Sequence, residues 1–197
     1  KAADGFKAGG YNTEASNPIQ AGAGYGPELI ESIEFGLKGR YMDNRVSINA
    51  AYFDNEHEDM QVAYFTAEQA AASVVLNNSA EQSGFELEMV ALLNDTTQFS
   101  LNYGSLDSKY TESVIAPDGF APELFPYAPE TMIYASLEKD FGNYRVRLDH
   151  SRVGEHNAFP YSSSDPRSAL THVEERNITD FRLMTSPMDN LDLTFWI

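Results

Sequence analysis

Cysteine is absent from the 197 residues. No disulfide framework, thiolate metal site or cysteine nucleophile can be built within them. Basic residues are scarce: 13 Lys and Arg stand against 30 Asp and Glu, for a formal charge of −17. Such a surface cannot neutralise phosphates, which removes nucleic acid from the expected partners. No apolar run approaches the ~20 residues that a membrane helix needs. A membrane location would therefore require a closed β-barrel, because open sheet edges cannot be satisfied in lipid. The four histidines, His57, His150, His156 and His172, show no metal-ligand spacing, so no metal site is assigned. Gly22, Gly24 and Gly26 lack the spacing and the strand-to-helix switch of a dinucleotide fingerprint. No Ser-His-Asp or paired-carboxylate motif sits in a catalytic context, so neither an enzyme nor a cofactor is expected.

What is present is alternation. The 42% hydrophobic content and mean hydropathy of −0.40 suit a soluble protein, but equally a barrel in which every second strand residue meets lipid. Ile33, Phe35, Leu37, Gly39 and Tyr41 alternate with Ser32, Glu34, Gly36, Lys38 and Arg40. Val46, Ile48, Ala50 and Tyr52 follow after Asp43-Asn44, a two-residue hairpin turn. Pairing Met42 with Arg45 sets Tyr41 against Val46, Gly39 against Ile48 and Phe35 against Tyr52. A slip of one residue would mix the faces. Gly142-Asn143 is a second such turn. It places Leu137 opposite Leu148, Asp140 opposite Arg145 and Glu138 opposite Arg147, so polarity and charge choose the same register. Two further hairpins join 84–93 to 98–107 and 175–185 to 191–197.

Nine strands are expected, at 1–9, 28–41, 45–54, 84–93, 98–107, 127–140, 144–153, 175–185 and 191–197. Their connectors alternate in length. Those at 42–45, 94–98, 141–144 and 186–190 are short; those at 11–27, 55–80, 108–126 and 155–173 are long. Short turns at one rim and long loops at the other are the layout of an outer-membrane barrel. All nine prolines fall in connectors or at strand beginnings. Thr66 and Gln69 have capping-box spacing for a short helix inside one loop. The chain begins at Lys1 and stops at Phe195-Trp196-Ile197 inside an alternating run, so a piece of a larger barrel is expected. Two unpaired edges and a lipid-facing surface imply that the piece does not fold alone.

The chain contains, in order, Gly5-Phe6-Lys7-Ala8-Gly9-Gly10-Tyr11-Asn12, Tyr25-Gly26-Pro27-Glu28, Ser32-Ile33-Glu34-Phe35-Gly36-Leu37-Lys38, Asn49-Ala50-Ala51-Tyr52-Phe53, Asp59-Met60-Gln61, Gly84-Phe85-Glu86-Leu87-Glu88 and Tyr127-Ala128-Pro129-Glu130. These segments resemble those of TonB-dependent outer-membrane receptors. Their order and separations carry the resemblance, which covers residues 1–197 as one partial barrel domain. It implies an all-β, antiparallel up-and-down transmembrane barrel segment, nine strands of about 22, around a plugged lumen. The implied function is active uptake of a scarce nutrient across the outer membrane of a Gram-negative bacterium. A ferric siderophore is the first expectation for the ligand, with cobalamin or an oligosaccharide as others. The implied partners are outer-membrane lipid and the TonB complex, the latter contacted through an N-terminal part outside this sequence, as are the signal peptide, the plug and the closing strand. A passive porin and a soluble carbohydrate-binding β-sandwich are the rival readings.

Two sets of site residues follow. Glu34, Lys38, Arg40, Glu86, Glu88, Arg145, Arg147, Asp180 and Arg182 face away from the apolar side, as a lumen wall in contact with plug or ligand. The simpler alternative is that they hydrate the lumen and pair across strands. Tyr64, Phe65, Phe120, Phe125, Phe159 and Tyr161 lie in long loops, where aromatics can grip a ligand or pack against one another. Asp54-Asn55-Glu56-His57-Glu58-Asp59 is an acidic run that lacks EF-hand spacing and reads as a solvated loop root. Tyr41, Phe141 and Tyr144 are candidates for an aromatic girdle at the inner rim.

Overall fold

The computed structural model describes residues 1–15, 18–65, 73–115 and 119–197. In chain order the elements are β1 (Ala2–Lys7), β2 (Gly10–Tyr11), the single helical turn α1 (Pro18–Gly22), β3 (Gly24–Tyr25), β4 (Glu28–Tyr41), β5 (Val46–Phe65), β6 (Ser73–Asn94) and β7 (Thr97–Glu112). They continue with β8 (Thr131–Asp140), β9 (Tyr144–Val153), β10 (His156–Asn157), α2 (Ser168–Thr171), β11 (His172–Val173), β12 (Arg176–Met188) and β13 (Leu191–Trp196). Nine of the strands form one sheet in the order β1-β4-β5-β6-β7-β8-β9-β12-β13, and every pairing in it is antiparallel. The pairs β2–β3 and β10–β11 are small hairpins inside connectors.

The registers are those the alternation demands. Tyr41 pairs with Val46, Gly39 with Ile48 and Phe35 with Tyr52. Arg45 N–H donates to Met42 O at 3.0 Å, and Asp43 and Asn44 hold φ of 54° and 66°. Positive φ at both central residues is what a type I′ turn requires, and its twist matches that of the strands. At the second turn Leu137 pairs with Leu148, Asp140 with Arg145 and Glu138 with Arg147. Gly142 takes a φ of 85°, where a side chain would be strained, and its N–H donates to the Asp140 carboxylate at 2.6 Å. That contact changes the expected ion pair: Arg145 reaches Glu138 at 3.5 Å, because Asp140 is turned to cap the turn.

Four strands outrun their expected ends; one of them, β12, runs to Met188 rather than 185, past an irregularity against β13 at Thr185/Met188. The segment 55–80 was expected as a long connector, yet β5 continues to Phe65 and β6 starts at Ser73. A β-bulge at His57/Met60 is the physical reason. One extra residue in β5 reverses the parity of the strand, so its upper part no longer continues the alternation of its lower part. Similarly β7 runs on to Glu112, past a second irregularity against β6 at Ser79/Ala80. The expected helix at Thr66–Gln69 lies outside the described residues.

No second layer covers the apolar face among the described residues. Phe35 is 70% exposed and Leu37 58%. A soluble domain rarely leaves so continuous an apolar face uncovered. Apart from Ala91, the buried apolar side chains gather instead near the long connectors, at Val62, Tyr64, Val74, Ala80, Phe120, Phe125 and Tyr161. Phe141 and Tyr144, at the opposite rim, stack at 4.8 Å between ring centroids.

Candidate functional site

Strand alternation places all nine expected wall residues on one face. Across the sheet Lys38 stands opposite Asn49, Asn49 opposite Glu88, Glu88 opposite Asn102, Asn102 opposite Tyr134 and Tyr134 opposite Ser151. One step along the strands, Arg40, Ser47, Val90, Ser100, Ser136, Asp149 and Asp180 form the next row. Glu138, Arg147 and Arg182 make a third. Residues directly opposite in a ladder point the same way, so these three inward rows are polar except at Val90.

The centre of this face is Asp149, which alternation alone does not single out. Asp149 is 3% exposed. Its carboxylate accepts from Arg147 Nε at 2.8 Å and 3.1 Å and from the Tyr134 hydroxyl at 2.5 Å. Arg147 also donates from Nη2 to the Tyr134 oxygen at 2.7 Å and lies 3.7 Å from Glu138. Arg182 Nε approaches the other Asp149 oxygen at 3.7 Å. A buried carboxylate surrounded by this many donors is satisfied, which is the condition for keeping it charged. The signal was available: Asp149 shares parity with Arg145 and Arg147. Nearer β4 the wall is held by Asn49, whose amide donates to Glu88 at 3.1 Å. Where Phe53 and Gly84 pair, the Phe53 ring lies over the glycine. A Cβ at Gly84 would stand 2.5 Å from that ring and 2.4 Å from Ser105 O.

Above the wall the connectors form a collar with its own core. Tyr64, at 1% exposure, stacks on Phe120 at 4.3 Å between centroids. Phe120 meets Tyr161 edge-on at 5.8 Å, and Phe159 lies 5.9 Å from Tyr161. The Arg167 guanidinium covers Tyr161 at 4.3 Å and makes paired hydrogen bonds to Asp165. Those bonds hold the Asp165 carboxyl below the usual carboxylate range. Phe125 stacks separately on Tyr110 at 4.3 Å. Five loop aromatics expected as ligand contacts are thus packed against neighbouring side chains. The side chain of Phe65 lies outside the described residues. The β5 bulge makes the collar possible. Below it Tyr52, Asp54 and Glu56 point outward; beyond it Met60, Val62 and Tyr64 pair with Asn78, Leu76 and Val74 of the inward set. The acidic run is split by the same alternation: Asp54, Glu56 and Glu58 face outward while His57 faces inward.

Side-chain amides tie the collar to the wall. Asn77 accepts from Gly26 N–H at 2.7 Å and donates to Gly26 O and Asp59 O at 3.2 Å and 2.6 Å. Asn12 accepts from Val75 N–H at 2.7 Å, and Asn78 accepts from Val114 N–H at 2.8 Å. Gln61 donates to Ala8 O and Gly26 O at 2.9 Å and 3.1 Å.

The profile of the family described as TonB dependent receptor-like, beta-barrel, matches residues 1–195. The chain belongs to the TonB-dependent receptor β-barrel family. No curated protein matches the sequence. Among solved structures, the ferric yersiniabactin uptake receptor FyuA from Yersinia pestis superposes with a TM-score of 0.73 at 19% identity, over 99% of this chain and 28% of that one. The copper transporter OprC gives 0.71 at 14% identity, over 99% and 30%. The pyoverdine outer membrane receptor FpvA from Pseudomonas aeruginosa gives 0.65 at 16% identity, over 98% and 28%. At such identities the likeness speaks for the fold. The nine-stranded sheet of this TonB-dependent receptor chain is accordingly an open segment of an antiparallel barrel, and the chain spans less than a third of the length of those relatives.

Proposed function

We propose that this chain forms part of the wall of an outer-membrane receptor that actively takes up a scarce nutrient, with a ferric siderophore complex as cargo. The observation that carries this reading is the two-sided sheet. Its outward side carries an uncovered apolar band, and its inward side is a charged network capped by packed loops. An uncovered apolar face needs lipid, and a hydrogen-bonded polar face suits a hydrated lumen. Family membership supports the receptor class. The names of FyuA and FpvA, a yersiniabactin and a pyoverdine receptor, support the siderophore.

In this reading a plug from the same protein fills the lumen and touches the wall at Glu34, Lys38, Arg40, Glu86, Glu88, Arg145, Arg147, Asp180 and Arg182. A segment ahead of the plug contacts the TonB complex, which supplies the energy. The collar aromatics Tyr64, Phe120, Phe125, Phe159 and Tyr161 hold the capturing loops in shape rather than touching the cargo. Uptake of radiolabelled iron from a panel of siderophores tests the proposal, in cells carrying or lacking the full-length protein. Uptake of at least one complex is expected to need both the protein and the protonmotive force. Uptake that survives an uncoupler would indicate a passive channel and overturn the reading. A response only to cobalamin or an oligosaccharide would replace the cargo and leave the receptor class.

A further inference from the structure

β7 outruns its neighbour β8. Their ladder ends where Ser105 meets Thr131, yet β7 continues to Glu112. One further main-chain bond joins the two sides: Leu106 N–H donates to Glu130 O at 3.0 Å. Beyond it the connector parts from β7. Tyr127 takes a φ of 55°, and its N–H donates to Asn157 O at 2.7 Å on the far side. Pro126 bridges to the same Asn157. A cavity of about 400 Å³ is left between β7 and the segment 154–157, in the line that β8 would follow if it continued. Lower down, β7 and β9 flank β8 and so stand two strand spacings apart, roughly 10 Å. A slot that continues this gap admits one strand.

Along an antiparallel strand the hydrogen-bonding direction repeats at every second residue. Leu106 N–H points towards β8, so the N–H and C=O groups of Ser108 and Tyr110 point into the slot. Neither residue meets a main-chain partner on that side among the described residues. On the other side both stand in the β6 ladder, opposite Gln82 and Ala80. An edge with unpaired groups is a template for a further strand. The walls of the slot also select. Phe125, stacked on the inward Tyr110, lines its inner side. Asp107, Glu123, Glu130, Glu155 and Glu175 line it against one arginine, Arg152, whose guanidinium is held by Glu175.

We infer that the upper edge of β7 is a docking site for an extended, lysine- or arginine-bearing segment of a protein partner, which adds as a strand in the place that β8 leaves vacant. Main-chain bonds to Ser108 and Tyr110 hold the segment, and the carboxylates choose its charge. An alternating segment fits best, with apolar side chains towards Phe125 and cations towards Asp107. This capture does not depend on which cargo the receptor carries.

Hydrogen exchange on the full-length protein in lipid nanodiscs at pH 7.5 tests it. The probe is a six-residue peptide of alternating lysine and valine, blocked at both ends. At 1 mM peptide the Ser108 and Tyr110 amides are expected to slow about tenfold or more, as amides do on entering a ladder, while those of β8 stay unchanged. The same peptide methylated at every main-chain nitrogen keeps its charge and loses its donors; it is expected to give no slowing. A peptide with glutamate in place of lysine should give none either. Asp107→Asn combined with Glu130→Gln is expected to weaken binding about threefold, the scale of two exposed ion pairs. Ser108→Pro removes a slot-facing donor and leaves the β6 ladder alone, so it should abolish capture without changing the gel shift of the folded barrel. No slowing with the lysine–valine peptide overturns the inference, as does equal slowing with the glutamate peptide. Undiminished binding of the methylated peptide also overturns it, because charge alone would then hold the segment.

Discussion

Phe120→Ala separates two roles that an aromatic in an outer loop can play. Phe120 is 6% exposed, stacked on Tyr64 and set edge-on to Tyr161. An aromatic side chain buries about 150–250 Å², which at ~25 cal/mol per Å² corresponds to roughly 4–6 kcal/mol. Measured losses for buried Phe→Ala run at about 3–5 kcal/mol, and less where the surroundings collapse into the space. Phe120 sits in a small satellite core between loops, so about 3 kcal/mol is the reasoned loss. That loss falls on the local opening of the collar, which includes the upper ends of β5 and β6, and not on the lower wall formed by β8 and β9. At about 1.4 kcal/mol per factor of ten, exchange of the Glu123 amide should accelerate on the order of 100-fold. This amide now donates to Pro160 O at 3.2 Å. Amides of β8 and β9 should be unchanged, as should the heat-modifiable gel shift of the folded barrel. Wild-type exchange at Glu123 in the variant would refute the packing argument. Lost ligand binding combined with unchanged exchange would assign Phe120 to the ligand instead.

Other perturbations probe the wall and the loops. Leu37→Arg is expected to cost roughly 2–4 kcal/mol if this face meets the bilayer centre, and to be nearly silent for a side chain exposed to water; folding into vesicles, followed by gel shift, reads the difference. Asp149→Ala leaves Arg147, Tyr134 and Arg182 without their shared acceptor. A loss of about 1–3 kcal/mol is expected from unfolding in detergent, and Asp149→Asn should recover part of it. The Asp165 carboxyl is depressed in the folded loop by Arg167. Its contribution is therefore complete above the ordinary carboxylate value near 3.9 and is lost as pH falls through the lowered one. Exchange at the Ser168 amide, which donates to Asp165 O, should stay slow down to about pH 4 and rise below it, while Asp165→Asn should show no such step.

The sequence alone determined the strands, their registers and the face on which each charge lies. Those features are local: a period of two and a two-residue turn leave one pairing in which Tyr41 meets Val46 and Glu138 meets Arg147. The long reach of β5 and β6 was not legible, because a single extra residue near Asp59 reverses the parity and hides the continuation of the strand. Burial of the loop aromatics was not legible either. Tyr64, Phe120 and Tyr161 are distant in sequence, and packing against each other or presenting to a ligand demands the same residue types. In the sequence Asp149 is one more polar residue of an alternating strand, and only the fold makes Tyr134, Arg147 and Arg182 converge on it. His57 and Glu28 likewise belong to different strands, brought together only by the ladder. Alternation assigns a side chain to a face, but which side chains share a proton, a stack or a carboxylate depends on contacts across many residues, and only the folded sheet sets those.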